Sequence, residues 1–146
     1  MKKFFSRHFF LLLLVTIAII AILATVTIVA LNPARQFAQA RNTQRVSNVN
    51  TVLNAVWQRM VDSKGLWTTN ATCTATMPAT AKVIGSGAGN TNLEPCLVPT
   101  YLPLLVVDPS GGTTASSGYT IFQDANGRIT ITATKAELGT SITVTR

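Results

Sequence analysis

From Phe9 to Leu31 the chain carries no ionisable side chain, and basic residues bracket the run: Lys2, Lys3 and Arg7 before it, Arg35, Arg41 and Arg45 after it. A helix rises ~1.5 Å per residue, so a stretch of this length reaches across a bilayer hydrocarbon core of ~30 Å. The apolar region of a signal peptide spans only roughly 7–15 residues, which makes a membrane-spanning helix the expected use of this one. A chain that begins this way must fold as a tethered segment plus whatever the remaining residues can build.

The 146 residues leave room for one small domain beside that segment. The expected organisation is a basic leader at 1–8, an apolar helix at 9–31, an amphipathic helix at 32–64 and a Thr/Gly-rich head at 65–146. The net charge of +7 is unevenly spread. Residues 1–64 carry eight Lys/Arg against Asp62 alone, whereas in 65–146 Lys82, Arg128, Lys135 and Arg146 are balanced by Glu94, Asp108, Asp124 and Glu137. A neutral head is no basic nucleic-acid-binding surface, so no nucleic-acid partner is expected. The surplus sits where it can meet lipid headgroups or a neighbouring subunit.

Charge alone does not orient the segment, because arginines follow it as lysines precede it. Cys73 and Cys96, both in the polar head, break the tie. Two cysteines in a small Thr/Gly-rich domain read as a disulfide, hence as an oxidising compartment outside the membrane. Such a bond closes a loop of about two dozen residues and adds roughly 3 kcal/mol by the chain-entropy relation. Neither cysteine has a Cys-x-x-Cys or His partner, so a metal site is not expected.

Beyond the apolar run, Asn32-Pro33 restarts a helix or kinks a continuous one. Val46, Val49, Leu53, Val56 and Met60 then recur at helical spacing and predict one buried seam. Ser47, Asn48, Asn50, Asn54 and Gln58 alternate with them as the polar face, and Lys64-Gly65 supplies a C-terminal stop. Arg41, Arg45 and Arg59 share a flank that either faces solvent or meets headgroups or an adjacent chain.

The seam needs a cover. Tyr119–Gln123 and Arg128–Thr132 read as strands joined at Asn126-Gly127, a strong hairpin signal, and Ser141–Thr145 is a third strand. The expected fold is α+β: a long N-terminal helix, its first half membrane-spanning, with a small antiparallel sheet packed on its second half. The stretch from Leu66 to Leu97 reads mostly as surface loop. Within it Gly85-Ser-Gly-Ala-Gly89 lacks both the G-x-G-x-x-G spacing and a following amphipathic helix. Asp124-Ala-Asn-Gly127 is a turn rather than a calcium loop, having no glutamate at the twelfth position. Asn70-Ala-Thr72 fits the N-glycosylation pattern.

No catalytic constellation is visible. The only histidine, His8, lies before the apolar run, and the carboxylates are scattered, with Asp108-Pro-Ser-Gly-Gly112 reading as a turn. The expectation is a non-enzyme with no cofactor.

Leu13-Leu-Val-Thr-Ile-Ala-Ile-Ile-Ala-Ile-Leu-Ala24 resembles the N-terminal helix of type IV pilins and of the pseudopilins of type II secretion. Asn32-Pro-Ala-Arg35, Lys64-Gly-Leu-Trp67, Tyr101-Leu-Pro103 and Val107-Asp-Pro109 agree with that resemblance over most of the chain. It implies a structural subunit held in the inner membrane until it packs into a helical filament, through contacts with copies of itself or other pilin-like subunits. It further implies processing by a prepilin peptidase just after a glycine, methylation of the new N-terminus, and a glutamate that offsets the amine of a neighbour. Aligned on Ile17–Ile20, the glycine position holds Arg7 or, shifted by one, His8, so Arg7, His8 and Phe9 mark the processing region; the glutamate position holds Leu12 or Leu13. The alternative is an unprocessed single-pass membrane protein with a pilin-like exported binding domain. A secreted chain cut at Ala38-Gln-Ala40 is a third reading, opposed by the intervening Pro33 and Arg35.

Overall fold

The computed structural model describes residues 2–146, with side-chain burial described for 7–29 and 32–146. Met1 of the basic leader lies outside the described residues, and so do the side chains of Lys2 and Lys3. The chain divides into two compact units, one ending at Phe37 and the other comprising Ala38–Arg146.

The first unit is built on α1 (Lys2–Leu31). Within it Arg7–Val29 is long and apolar enough to cross a membrane. Its threonines do not leave polar atoms adrift: Thr16 and Thr27 donate their hydroxyls to the carbonyls of Leu13 and Ala24, at 2.8 and 2.9 Å. Such back-bonding satisfies a hydroxyl without any partner outside the helix. At Asn32 the backbone turns to φ 42°, and α2 (Pro33–Asp62) begins on the next residue. Asn32 accepts the Arg35 N–H through both its carbonyl (3.0 Å) and its side chain (3.3 Å). The Asn-Pro pair therefore restarts the helix, with asparagine capping and proline needing no partner for a missing N–H.

In the second unit, α2 turns one face inward. Its buried positions are Ala38, Asn42, Arg45, Asn48, Val49, Val52, Leu53, Ala55, Val56, Arg59 and Met60. Val49, Leu53, Val56 and Met60 belong to the seam as expected, but Val46 does not and stays 45% exposed. Arg45 takes the inward position next to it, since one residue is about 100° of turn. Apart from Arg59, the seam is apolar toward the C-terminus and polar toward the N-terminus. The helix closes with Lys64 and Gly65 at φ 61° and 85°, the Gly65 N–H reaching the Met60 carbonyl at 2.7 Å.

Against this face lies a four-stranded antiparallel sheet in the order β1 (Lys82–Val83), β2 (Tyr119–Gln123), β3 (Ile129–Ala133), β4 (Thr143–Thr145). Register pairs Tyr119 with Ala133, Ile121 with Ile131 and Gln123 with Ile129. The inward residues Tyr119, Ile121, Ile129, Ile131 and Ala133 join the α2 seam in one core. On the other face Thr130 and Thr132 pair hydroxyls with Thr145 and Thr143. The expected meander is thus present, and the arrangement is α+β. Two elements were not anticipated: the short edge strand β1 and a single helical turn, α3 (Glu94–Leu97), both from the stretch read as loop. The hairpin is also wider than a two-residue turn. Asp124 and Arg128 close it, and only Gly127 has positive φ, at 83°.

Candidate functional site

Four charged side chains converge where α2 meets the head. Arg45 Nε donates to Asp108 Oδ2 at 2.7 Å and Nη2 donates to Oδ1 at 3.2 Å. Its remaining N–H groups go to Asn42 Oδ1, Glu137 Oε2 and Ser110 Oγ, each at 2.8 Å. All five guanidinium donors are thereby used, which is what makes a fully buried arginine tolerable. Arg41 adds a bidentate grip on Glu137 at 2.6 and 2.8 Å. Asn42 holds the same loop through the Glu137 backbone, donating to its carbonyl at 2.8 Å and accepting its N–H at 3.0 Å. One turn on, Asn48 Nδ2 donates to the Tyr119 hydroxyl at 2.8 Å.

The expected solvated or headgroup-facing arginine flank is therefore a misreading for this unit. Arg41 and Arg45 neutralise two carboxylates of the head, and Arg59 is buried among loop carbonyls, donating to Cys96 O (3.2 Å) and Thr68 O (2.9 Å). Its guanidinium also lies 4.9 Å from the centre of the Trp67 ring, a cation–π distance. Asp108 is likewise no mere surface turn, since it is buried, although its side chain does accept the Ser110 N–H as turn chemistry requires.

Titration follows this geometry. Hydrogen bonds from Arg41 and then Arg45 hold the Glu137 carboxyl down to about 2. Burial pushes Asp108 up, yet the hydrogen bonds from Arg45 and from the Ser110 N–H, with the Arg45 charge, outweigh it and leave the carboxyl below its ordinary value. Burial raises the Tyr119 hydroxyl, with the Asn48 bond working against it. All four charged groups are ionised at neutral pH, and their sum is zero. Such a cluster fastens structure; it offers neither a poised base nor an activated nucleophile.

Cys73 and Cys96 form the expected disulfide across 23 residues of sequence. The bond closes the Leu66–Leu97 stretch on itself, and Arg59 ties that stretch to α2. The glycine-rich segment inside it is pinned as well: the Ser86 and Gly87 N–H groups reach the Thr114 and Ala115 carbonyls at 2.9 and 3.0 Å, and a Cβ on Gly85 would strike the Ala115 carbonyl oxygen. An open groove of about 590 Å³ on the head is bordered by Thr76, Met77, Lys82 and Asn92, and another of about 380 Å³ lies on α2 beside Trp57, Gln58 and Val61. Among the described residues no group of three His, Cys, Asp or Glu could hold a metal ion.

Of the other residues singled out in the sequence, Arg7, His8 and Phe9 lie exposed on α1. They begin an exposed apolar surface that includes Leu12, Ile20, Leu23 and Val29, all more than half exposed. Protein-family models, curated proteins and solved structures were compared with the chain, and none matches.

Proposed function

We propose that this chain is a structural subunit of a type IV pilus-like or pseudopilus filament, held in a membrane by α1 until α1 bundles with copies of itself or with other pilin-like subunits. One observation carries the reading. From Phe9 to Val29 the large apolar side chains of α1 are exposed, Leu13 at 43% and Val29 at 77% marking the extremes. A helix apolar on every side needs an apolar surrounding on every side, and lipid or a bundle of like helices are the two that fit. The resemblance of Leu13–Ala24 to pilin N-termini favours a bundle as the final state, and the neutral, disulfide-closed head suits the extracytoplasmic side. Prepilin peptidase and the pilus or secretion assembly machinery are then the partners that deliver it.

A second reading has its own observation: no glycine precedes Gly65 and no acid precedes Asp62. An uncut chain would stay a single-pass membrane protein displaying the head as a binding module. Shearing filaments from intact cells and measuring the mass of the chain in the sheared and membrane fractions separates the two. A chain trimmed near Phe9 and present in filaments supports the subunit; a full-length chain found only as a membrane monomer overturns it.

A further inference from the structure

We infer that Asn70 is an acceptor for an N-linked glycan. Asn70-Ala71-Thr72 is the one Asn-x-Ser/Thr triplet in the chain, and its middle residue is not proline. It falls within Thr68–Thr72, where every residue is exposed. The turn is held rigidly. The Asn70 N–H donates to the Cys73 carbonyl at 2.8 Å, and the Cys73 N–H donates to Asn70 Oδ1 at 2.7 Å. Cys73 is itself buried and covalently joined to Cys96, so the triplet stands on a fixed base.

The side-chain amide is also divided in the way the chemistry needs. Its Oδ1 accepts from the Thr72 N–H and the Thr72 hydroxyl, each at 3.0 Å, as well as from Cys73. Among the described residues no acceptor engages Nδ2. Three donors on the oxygen draw electron density from the amide and make its N–H more acidic, while Nδ2 stays open to an incoming sugar.

The donor is a polyprenyl-pyrophosphate-linked oligosaccharide, and the catalyst a membrane oligosaccharide transferase. Nδ2 forms a bond to the anomeric carbon and the bond from that carbon to the pyrophosphate oxygen breaks. The lipid pyrophosphate leaves with the electron pair, and the Nδ2 proton passes to a base of the transferase. A glycan here has solvent to extend into, since the exposed residues on both sides bury nothing. The inference requires the head to face the compartment where such transfer occurs, but not that the chain polymerise.

The test is mass analysis of the full-length chain from membranes of its own cell, reduced, alkylated and digested with trypsin. The peptide between Lys64 and Lys82 is expected to carry a saccharide mass on Asn70. The modification is expected to disappear in Asn70→Gln and Thr72→Ala and to persist in Thr72→Ser. The peptide found only at its unmodified mass overturns the inference, and so does a saccharide that survives in Asn70→Gln. The wild-type measurement stands alone should a variant fail to fold, and it reads independently of whether filaments form.

Discussion

Arg45 and Asp108 meet at 2.7 Å with both side chains wholly withdrawn from solvent, joining α2 to a turn 63 residues away. Removing one partner of such a pair strands the other charge in a medium that cannot solvate it. Asp108→Ala is therefore expected to cost ~3–5 kcal/mol, read by urea denaturation of the detergent-solubilised, oxidised chain. Replacing both together, as Arg45→Met with Asp108→Leu, is expected to cost less than either single change. A single-variant loss under ~1 kcal/mol would mean the pair is not buried as described.

Acid is expected to loosen the same junction. Glu137 ordinarily titrates at 4.5 but is held to about 2 in the folded chain. The unfolded chain thus binds the proton more readily, so this group's contribution is complete above about 4.5 and fades as pH falls toward 2. Asp108, also lowered, adds a loss of the same sign below its ordinary 3.8. Urea midpoints measured across this range should fall with pH, and Glu137→Gln should flatten the part of the curve nearest 4.5. A midpoint unchanged down to pH ~2 would contradict the ion pairs as drawn.

The α2 seam makes a sharper contrast between neighbours. Leu53 is fully buried whereas Val46 is 45% exposed, although both fit the same spacing. Leu53→Ala should cost ~2–5 kcal/mol, and Val46→Ala should stay within ~0.5 kcal/mol. Equal effects from the two would restore Val46 to the core.

Much of this architecture could be read from residue order alone. The apolar run, the alternation of Ile129, Ile131 and Ala133 and the pairing of the two cysteines are signals local in sequence or forced by there being only two candidates. The inward turn of Arg45 was not legible in that way. Arg41 and Arg45 look like part of an ordinary wet flank because their acceptors come from far along the chain, Asp108 and Glu137 lying 63 and 92 residues beyond Arg45. Helical spacing sets which residues share a face, but which face turns inward is decided by what arrives to cover it. Val46 and Arg45 stand about 100° apart, and the carboxylates of the head chose the arginine. Similarly, β1 is only two residues long and is defined by its pairing with Ile121 and Thr120, so no local pattern announces it.

Reduction tests the other fastening. The Cys73–Cys96 bond spans 23 residues, and by loop closure its removal should cost roughly 3 kcal/mol. Denaturation with and without reductant reads this directly. A chain equally stable in both states would mean that Arg59, bonded to Cys96 O and Thr68 O, holds the segment by itself.

A single charge in α1 distinguishes anchoring from bundling, because the two environments charge differently for it. Residues 9–31 include sixteen Phe, Leu, Ile and Val, each favouring insertion by ~0.3–0.6 kcal/mol near the bilayer centre. Their sum exceeds the ~2.5–3.5 kcal/mol that one aspartate costs there, so Ile20→Asp should still fractionate with membranes after alkaline extraction. Within a bundle of like helices the same carboxylate has neither water nor a counter-charge within reach, and α1 offers no basic residue between Phe9 and Leu31. Ile20→Asp should therefore abolish recovery of the chain in sheared filaments while leaving its membrane content and its disulfide intact, and Ile20→Leu should leave all three unchanged. Filaments persisting at wild-type levels in Ile20→Asp would remove α1 from the filament interior.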